Sequence, residues 1–120
     1  MIHFKQVDTK IVELDFSGEI TGEDYKSVKP HIEKVMAERG VVKFLMDMTN
    51  VKGFKLDAVY QDIKFDVEHF KNIGDTAVVA PKKTYEYMTK AINMIYPGAK
   101  VYHFDEANTA MSWLKGQKAA

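Results

Sequence analysis

Apolar residues recur along this chain at two different periods, and each change of period marks a predicted element. Residues Ile2–Val7 and Lys10–Phe16 read as two short extended segments broken at Asp8-Thr9, a hairpin. In the second, Ile11, Val12, Leu14 and Phe16 give partial alternation with one buried face. Gly18 punctuates, and Thr21 followed by Asp24 makes a capping box with Asp in place of Glu. Tyr25, Val28, Ile32, Val35 and Met36 then fall at helical spacing. Pro30 lies inside this stretch, so the pattern predicts a short helix, a kink and a second helix that stops at Gly40.

Val41–Met48 is nearly continuous in apolar character, as a strand covered on both faces must be. A loop follows, then Leu56, Val59, Ile63, Val67 and Phe70 at spacings of three and four. These five are expected to be the buried stripe of an amphipathic helix that ends near Lys71. Thr76–Ala80 is a short buried strand stopped by Pro81. Thr84–Ile95 is a helix with Tyr85, Met88, Ile92 and Ile95 on one stripe, ended by Pro97-Gly98. Lys100–Phe104 is the final strand, and Asp105 caps a last helix with Ala107, Ala110, Met111 and Leu114 inward and Trp113 beside them. The predicted fold is α/β, a mixed, mostly parallel sheet with an N-terminal hairpin and covering helices, in the order β-β-α-β-α-β-α-β-α. Residues 1–116 are expected to form a single domain and residues 117–120 a frayed tail.

Composition narrows what such a domain does. Lys plus Arg and Asp plus Glu number 17 each, so no net field draws nucleic acid or an anionic membrane. Arg39 is the only arginine, which argues further against recognition of phosphate or guanine. Without cysteine, disulfides, thiolate catalysis and cysteine-ligated metal are excluded. No apolar run approaches a membrane span, and a cytoplasmic location without stable membrane insertion is expected.

Candidate chemistry is sparse. Asp62, Asp66 and His69 share a helix face with Glu68 nearby, a conceivable metal constellation. They lie off the apolar stripe and interleave with Lys64 and Lys71, so a solvated face is the expectation, with neither metal nor cofactor. His3 and His103 each fall in a strand and are candidates for neighbours across the sheet; His31 follows Pro30 on an exposed side. The glycines are singletons that build no phosphate cradle, and Ser17, Ser27 and Ser112 have no nearby base. Lys52, Lys55, Lys82 and Lys83 fall in loops that follow parallel strands and are expected at one sheet edge. The surplus is of Met and aromatic residues, with Tyr60, Phe65, Tyr87 and Met94 off their helices' main stripes; Tyr96 is part of it. Such residues suit a core, a protein interface or an apolar ligand groove.

Gly18-Glu19-Ile20-Thr21-Gly22-Glu23-Asp24-Tyr25 with Pro30, the step Met46-Asp47-Met48-Thr49-Asn50-Val51-Lys52-Gly53, and Phe104-Asp105-Glu106 followed by Ala110-Met111-Ser112-Trp113-Leu114 together resemble the STAS domains. The resemblance is greatest to the SpoIIAA-like, or STAS/SEC14-type, family and spans essentially the whole chain. It implies a non-catalytic regulatory or binding module. The family's phosphorylated serine after the central strand has no counterpart, since Lys55-Leu56-Asp57-Ala58 carries no hydroxyl. Asp57 suits the positive end of a helix dipole, and Thr49 is the one hydroxyl left in the loop.

The expected working surface runs from Asp47 to Asp62 with Pro81–Tyr87 alongside, and its binding residues are Asp47, Thr49, Phe54, Asp57, Tyr60, Phe65 and Tyr85. The leading expectation is docking of a protein partner or a second copy. The alternative is a carrier or sensor of a small apolar ligand such as a lipid or fatty acid, with a cavity lined by residues such as Met48, Phe65 and Met88.

Overall fold

The computed structural model describes residues 1–95 and 99–116. The predicted stop at Pro97-Gly98, Tyr96 and the tail at 117–120 lie outside the described residues. The elements run β1 (Ile2–Asp8), β2 (Ile11–Ile20), α1 (Gly22–Arg39), β3 (Val42–Phe54), α2 (Leu56–His69), β4 (Ile73–Val79), α3 (Tyr85–Ile95), β5 (Lys100–Tyr102) and α4 (Ala107–Leu114). Single 3-10 turns at Phe70–Asn72 and Lys82–Thr84 precede β4 and α3. The strands form one five-stranded sheet in chain order, with β1 antiparallel to β2 and every later pair parallel. Mixed, mostly parallel α/β architecture therefore stands as the sequence pattern implies.

Local chemistry accounts for the boundaries of α1. Its box is closed by Asp24 N donating to Thr21 Oγ1 at 3.3 Å and Thr21 N donating to Asp24 Oδ2 at 2.8 Å. The helix ends at Gly40, whose φ of 81° any side chain would strain. Pro30 does not divide it: α1 is one helix of 18 residues with Pro30 inside, contrary to the expected two. Burial of Val28 and Ile32 on either side of the proline holds the two halves on one core-facing line.

The sheet buries two cores. One face packs Val12, Leu14, Phe16, Phe44 and Met48 against α1, Ala58 of α2 and, more loosely, Met88 and Ile92 of α3. The other packs Ile11, Leu45, Ala77 and Val79 against Ala110 and Leu114 of α4. Lys43 Nζ donates to the Leu114 carbonyl at 2.7 Å, a cation satisfying the C-terminal end of α4. The last cap differs from expectation: Glu106, not Asp105, is the N-cap of α4, and its carboxylate accepts from His103 N at 2.8 Å.

The segment after Met48 is not a loop. It continues β3 to Phe54, paired with the extension of β2 to Ile20. Asp15 pairs with Asp47 and Ser17 with Asn50, so β3 carries one extra residue there; a second follows between Val51 and Gly53. These bulges reset which side chains face each side of the sheet. Gly18, read as a stop, has φ 68° beside the second irregularity and remains within β2. β1 and β5 are opposite edges, so His3 and His103 are not neighbours. His103 stacks instead on Tyr85, ring centroids 3.7 Å apart, and His31 stacks on Phe4 at 5.3 Å.

Candidate functional site

α2 is turned over relative to the expectation from its apolar stripe. Leu56 is 89% exposed, Val67 70% and Phe70 67%, with Val59 and Ile63 also open to solvent. The buried and half-buried residues are Ala58, Gln61, Asp62, Phe65, Asp66 and His69. The reason lies on α1, where Tyr25, Lys29 and Glu33 form a polar line at spacings of four. Lys29 pairs with Glu68 at 3.3 Å, Glu33 with His69 at 3.0 Å, and the Tyr25 hydroxyl bonds Asp62. α2 is thus docked by its polar side. The signal was present in the sequence as two complementary stripes, but burial by polarity alone selects the opposite face.

With its small Ala58 against the sheet and polar ties to α1, α2 leaves a space between itself, α3 and the sheet. That space is a cavity of about 850 Å³. Its floor is Leu14, Phe44, Met46, Met48 and Val78; its walls are Val28 and Ile32 of α1, Phe65 of α2, and Met88 and Ile92 of α3. It extends from Ile73, where β4 begins, to Pro81, beyond the strand's carboxyl end. At the rise of an extended chain that distance is about 25 Å. The upper rim carries Lys52, Lys82 and Lys83, while Lys55 pairs with Glu19 at 3.7 Å.

Two carboxyls interrupt the apolar wall. Asp62 and Asp66, one helical turn apart, both line the cavity. Burial pushes the Asp62 carboxyl up to about 6 against the lowering pull of the Tyr25 hydroxyl. Asp66 is pushed up to about 7, by burial first and then by the charge of Asp62. Among the described residues no group of three or more His, Asp or Glu is placed to hold a metal ion. The expectation of a fully solvated acidic face is corrected by this inward placement.

The sequence-predicted binding residues fall in three places. Thr49, Phe54 and Phe65 line the cavity, and the bulge in β3 is what brings Thr49 beside Met48 on that side. Tyr60 is exposed beside the outer stripe of α2, and Asp57 is exposed at the helix start with Oδ2 against Gly22, where a Cβ would approach to 2.9 Å. Asp47 pairs with Asp15 across β2 and β3 and accepts from Thr49 N at 3.0 Å and from Thr49 Oγ1 at 2.6 Å. The charges of Asp47 and Asp15 both reach Glu13, whose carboxyl burial pushes up to about 7. Tyr85 belongs to a separate shallow pocket with His103 and Glu106. Residues missed at the sequence level are Tyr25, Asp62 and Asp66 as cavity groups.

No helix among the described residues is long and apolar enough to cross a membrane. Among solved structures, an uncharacterized protein with a SpoIIAA-like fold from Shewanella loihica PV-4, of the DUF3478 family, aligns with TM-score 0.75 and 25% identity. That alignment covers 95% of this chain and 92% of the other. The anti-sigma factor antagonist SpoIIAA in its unphosphorylated form aligns with TM-score 0.72 at 16% identity, over 97% of this chain and 99% of that one. The phosphorylated form of SpoIIAA, the Bacillus cell fate determinant, aligns with TM-score 0.62 at 14% identity over 92% and 99%. At those identities SpoIIAA shares the fold alone. No curated protein matches the sequence. The sequence itself matches the SpoIIAA-like family over residues 11–115, and the chain belongs to that family.

Proposed function

We propose that this protein is a non-catalytic binding module whose cavity holds one elongated, largely apolar small molecule. The observation that carries the reading is the cavity of about 850 Å³ between α1, α2, α3 and the sheet. Its size lies in the range of ligand sites, roughly 300–1,000 Å³, and its lining of Met, Phe, Val and Ile with a few convergent polar groups is the composition such sites have. It reaches the carboxyl ends of β3 and β4, where open parallel sheets meet their ligands. Thr49, Phe54 and Phe65 belong to this site; Asp47 and Tyr85 take no part in it. Titration with the neutral fluorophore N-phenyl-1-naphthylamine is expected to show one saturable site per chain. Native mass spectrometry of the protein purified from its own host is expected to show a retained small molecule. Non-saturating fluorescence together with a bare chain mass would remove the reading.

A second reading rests on a different observation, the outward apolar stripe of α2. Leu56, Tyr60, Ile63 and Val67 are all exposed, and together with Phe54 they offer a surface for a protein partner or a second copy. Phe54→Ala with Tyr60→Ala is expected to weaken a complex detected by size-exclusion chromatography or pull-down while leaving the fold intact. A monomer with no captured partner, unchanged by the substitutions, would dispose of it.

A further inference from the structure

The charged side chains of the cavity are sorted along its length. Its lining holds four lysines, Lys29, Lys52, Lys82 and Lys83, against the two aspartates Asp62 and Asp66. The acids stand about 9 and 15 Å along α2 from Leu56, well below the rim. Down there, Asp62 is bonded by the Tyr25 hydroxyl and Lys29 is paired with Glu68 at 3.3 Å. Asp66, pushed up to about 7, is protonated in about half of the molecules at neutral pH. The other three lysines gather at the rim, Lys52 near the end of β3 and Lys82 and Lys83 in the turn before α3. Lys82 and Lys83 also border the shallow pocket with Glu86, Asp105 and Glu106. Even so, none of the three rim lysines is in an ion pair among the described residues, whereas Lys55 is paired with Glu19. α3 starts at the same rim and adds the positive end of its dipole, and Pro81 supplies no side-chain cap to the turn before it. Unbalanced positive charge at one end of an apolar cavity is complementary to an anion at one end of an apolar chain.

Resting on the cavity being a ligand site, we infer that its ligand is an amphiphile whose anionic head is held at Lys52, Lys82 and Lys83. Its apolar chain runs inward along Met46, Met48, Met88 and Ile92. The head is a carboxylate or a phosphate monoester, because lysines act as point charges and do not demand the planar two-point geometry that arginine reads. The chain follows the sheet and the α3 wall, whose lining residues below the rim are all uncharged. The two acids stand on the α2 wall and leave that path clear. A cationic head at the rim would be opposed by all three lysines, and a neutral one would leave their charge unanswered.

The test uses the full chain, with displacement of N-phenyl-1-naphthylamine as the readout. Dodecanoate, dodecyl phosphate, dodecan-1-ol and dodecyltrimethylammonium share one apolar body and are each used below their micelle or solubility limit. Acetate and inorganic phosphate serve as heads without a chain. At pH 8 the better of the two long anions is expected to bind about tenfold or more tightly than the alcohol, with the cation weakest. Which anion is the tighter identifies the head. Lys82→Gln with Lys83→Gln should cut the preference to about threefold, and adding Lys52→Gln should bring the anion level with the alcohol. The alcohol's own affinity should not change. Lys64→Gln with Lys71→Gln removes as much charge away from the rim and should leave the preference intact. An alcohol or cation that binds as tightly as the anions, a preference that survives the triple substitution, or an equal loss in the Lys64 and Lys71 variant would overturn the inference and leave the cavity reading standing. So would acetate or inorganic phosphate competing as well as the long anions. Were the fluorophore not bound, calorimetry with the same probes would take its place, and binding of none of them would overturn both readings.

Discussion

Asp62 and Asp66 tie the electrostatics of the cavity to the stability of the whole fold. Their carboxyls titrate at about 6 and about 7 in the folded protein, against an ordinary value near 4 in an unfolded chain. Between these limits the folded state binds more protons than the unfolded state, so stability is greatest below about pH 4 on their account and falls as pH rises to about 7. The two shifts do not add, because the charge of Asp62 is itself part of the shift of Asp66. Discounted for that coupling and for partial exposure, the pair contributes about 3 kcal/mol across the window. Glu13, raised to about 7 by burial, slopes the same way. Urea melts from pH 4 to 8 are therefore expected to show declining stability, and Asp62→Asn with Asp66→Asn should remove more than half of the decline. A slope untouched by the double substitution would mean that the pair is solvated after all.

At the scale of the element, α2 shows that the existence of a helix and the direction it faces are separate questions. Its span was legible from the spacing of Leu56, Val59, Ile63 and Val67, which no strand can accommodate. Its orientation was not. Placing the apolar stripe inward presumes a solid core beneath the helix, and here the space beneath is open and the polar ties to α1 set the rotation. The two arrangements differ measurably. Were Ile63 and Val67 core residues, truncating either would cost about 2–4 kcal/mol. Exposed as they are, Ile63→Ser and Val67→Ser are each expected to change stability by less than about 0.5 kcal/mol in dilute solution. Replacing Glu33 with Gln should cost more than either, because it unties His69 from α1. Chemical denaturation at low micromolar concentration reads all three.

For the whole molecule, the order of strands and helices was readable because Val41–Met48 and Thr76–Ala80 are nearly continuous in apolar character, as buried parallel strands are. What lay between Met48 and Leu56 was not, since two one-residue bulges erase the alternation that would have marked it as strand. The cavity was anticipated only as an alternative, through Met48, Phe65 and Met88; its volume depends on how far α2 and α3 stand from the sheet, which periodicity does not encode. That stand-off leaves apolar side chains without partners on one side, and filling it should stabilise the unliganded protein. Ala91, on the α3 wall, is small enough to test this. Ala91→Phe projects a ring into the space, so the empty protein is expected to gain about 0.5–1 kcal/mol by thermal or urea melting. The same ring should abolish the stabilisation that a bound ligand gives the wild type, about 2.7 kcal/mol at a hundredfold excess over its dissociation constant. A variant that is destabilised, yet still stabilised by N-phenyl-1-naphthylamine to the full wild-type extent, would show that the space closes in solution and that ligands bind elsewhere. Gain in the empty state with loss of the ligand-induced shift would place the ligand between α2, α3 and the sheet.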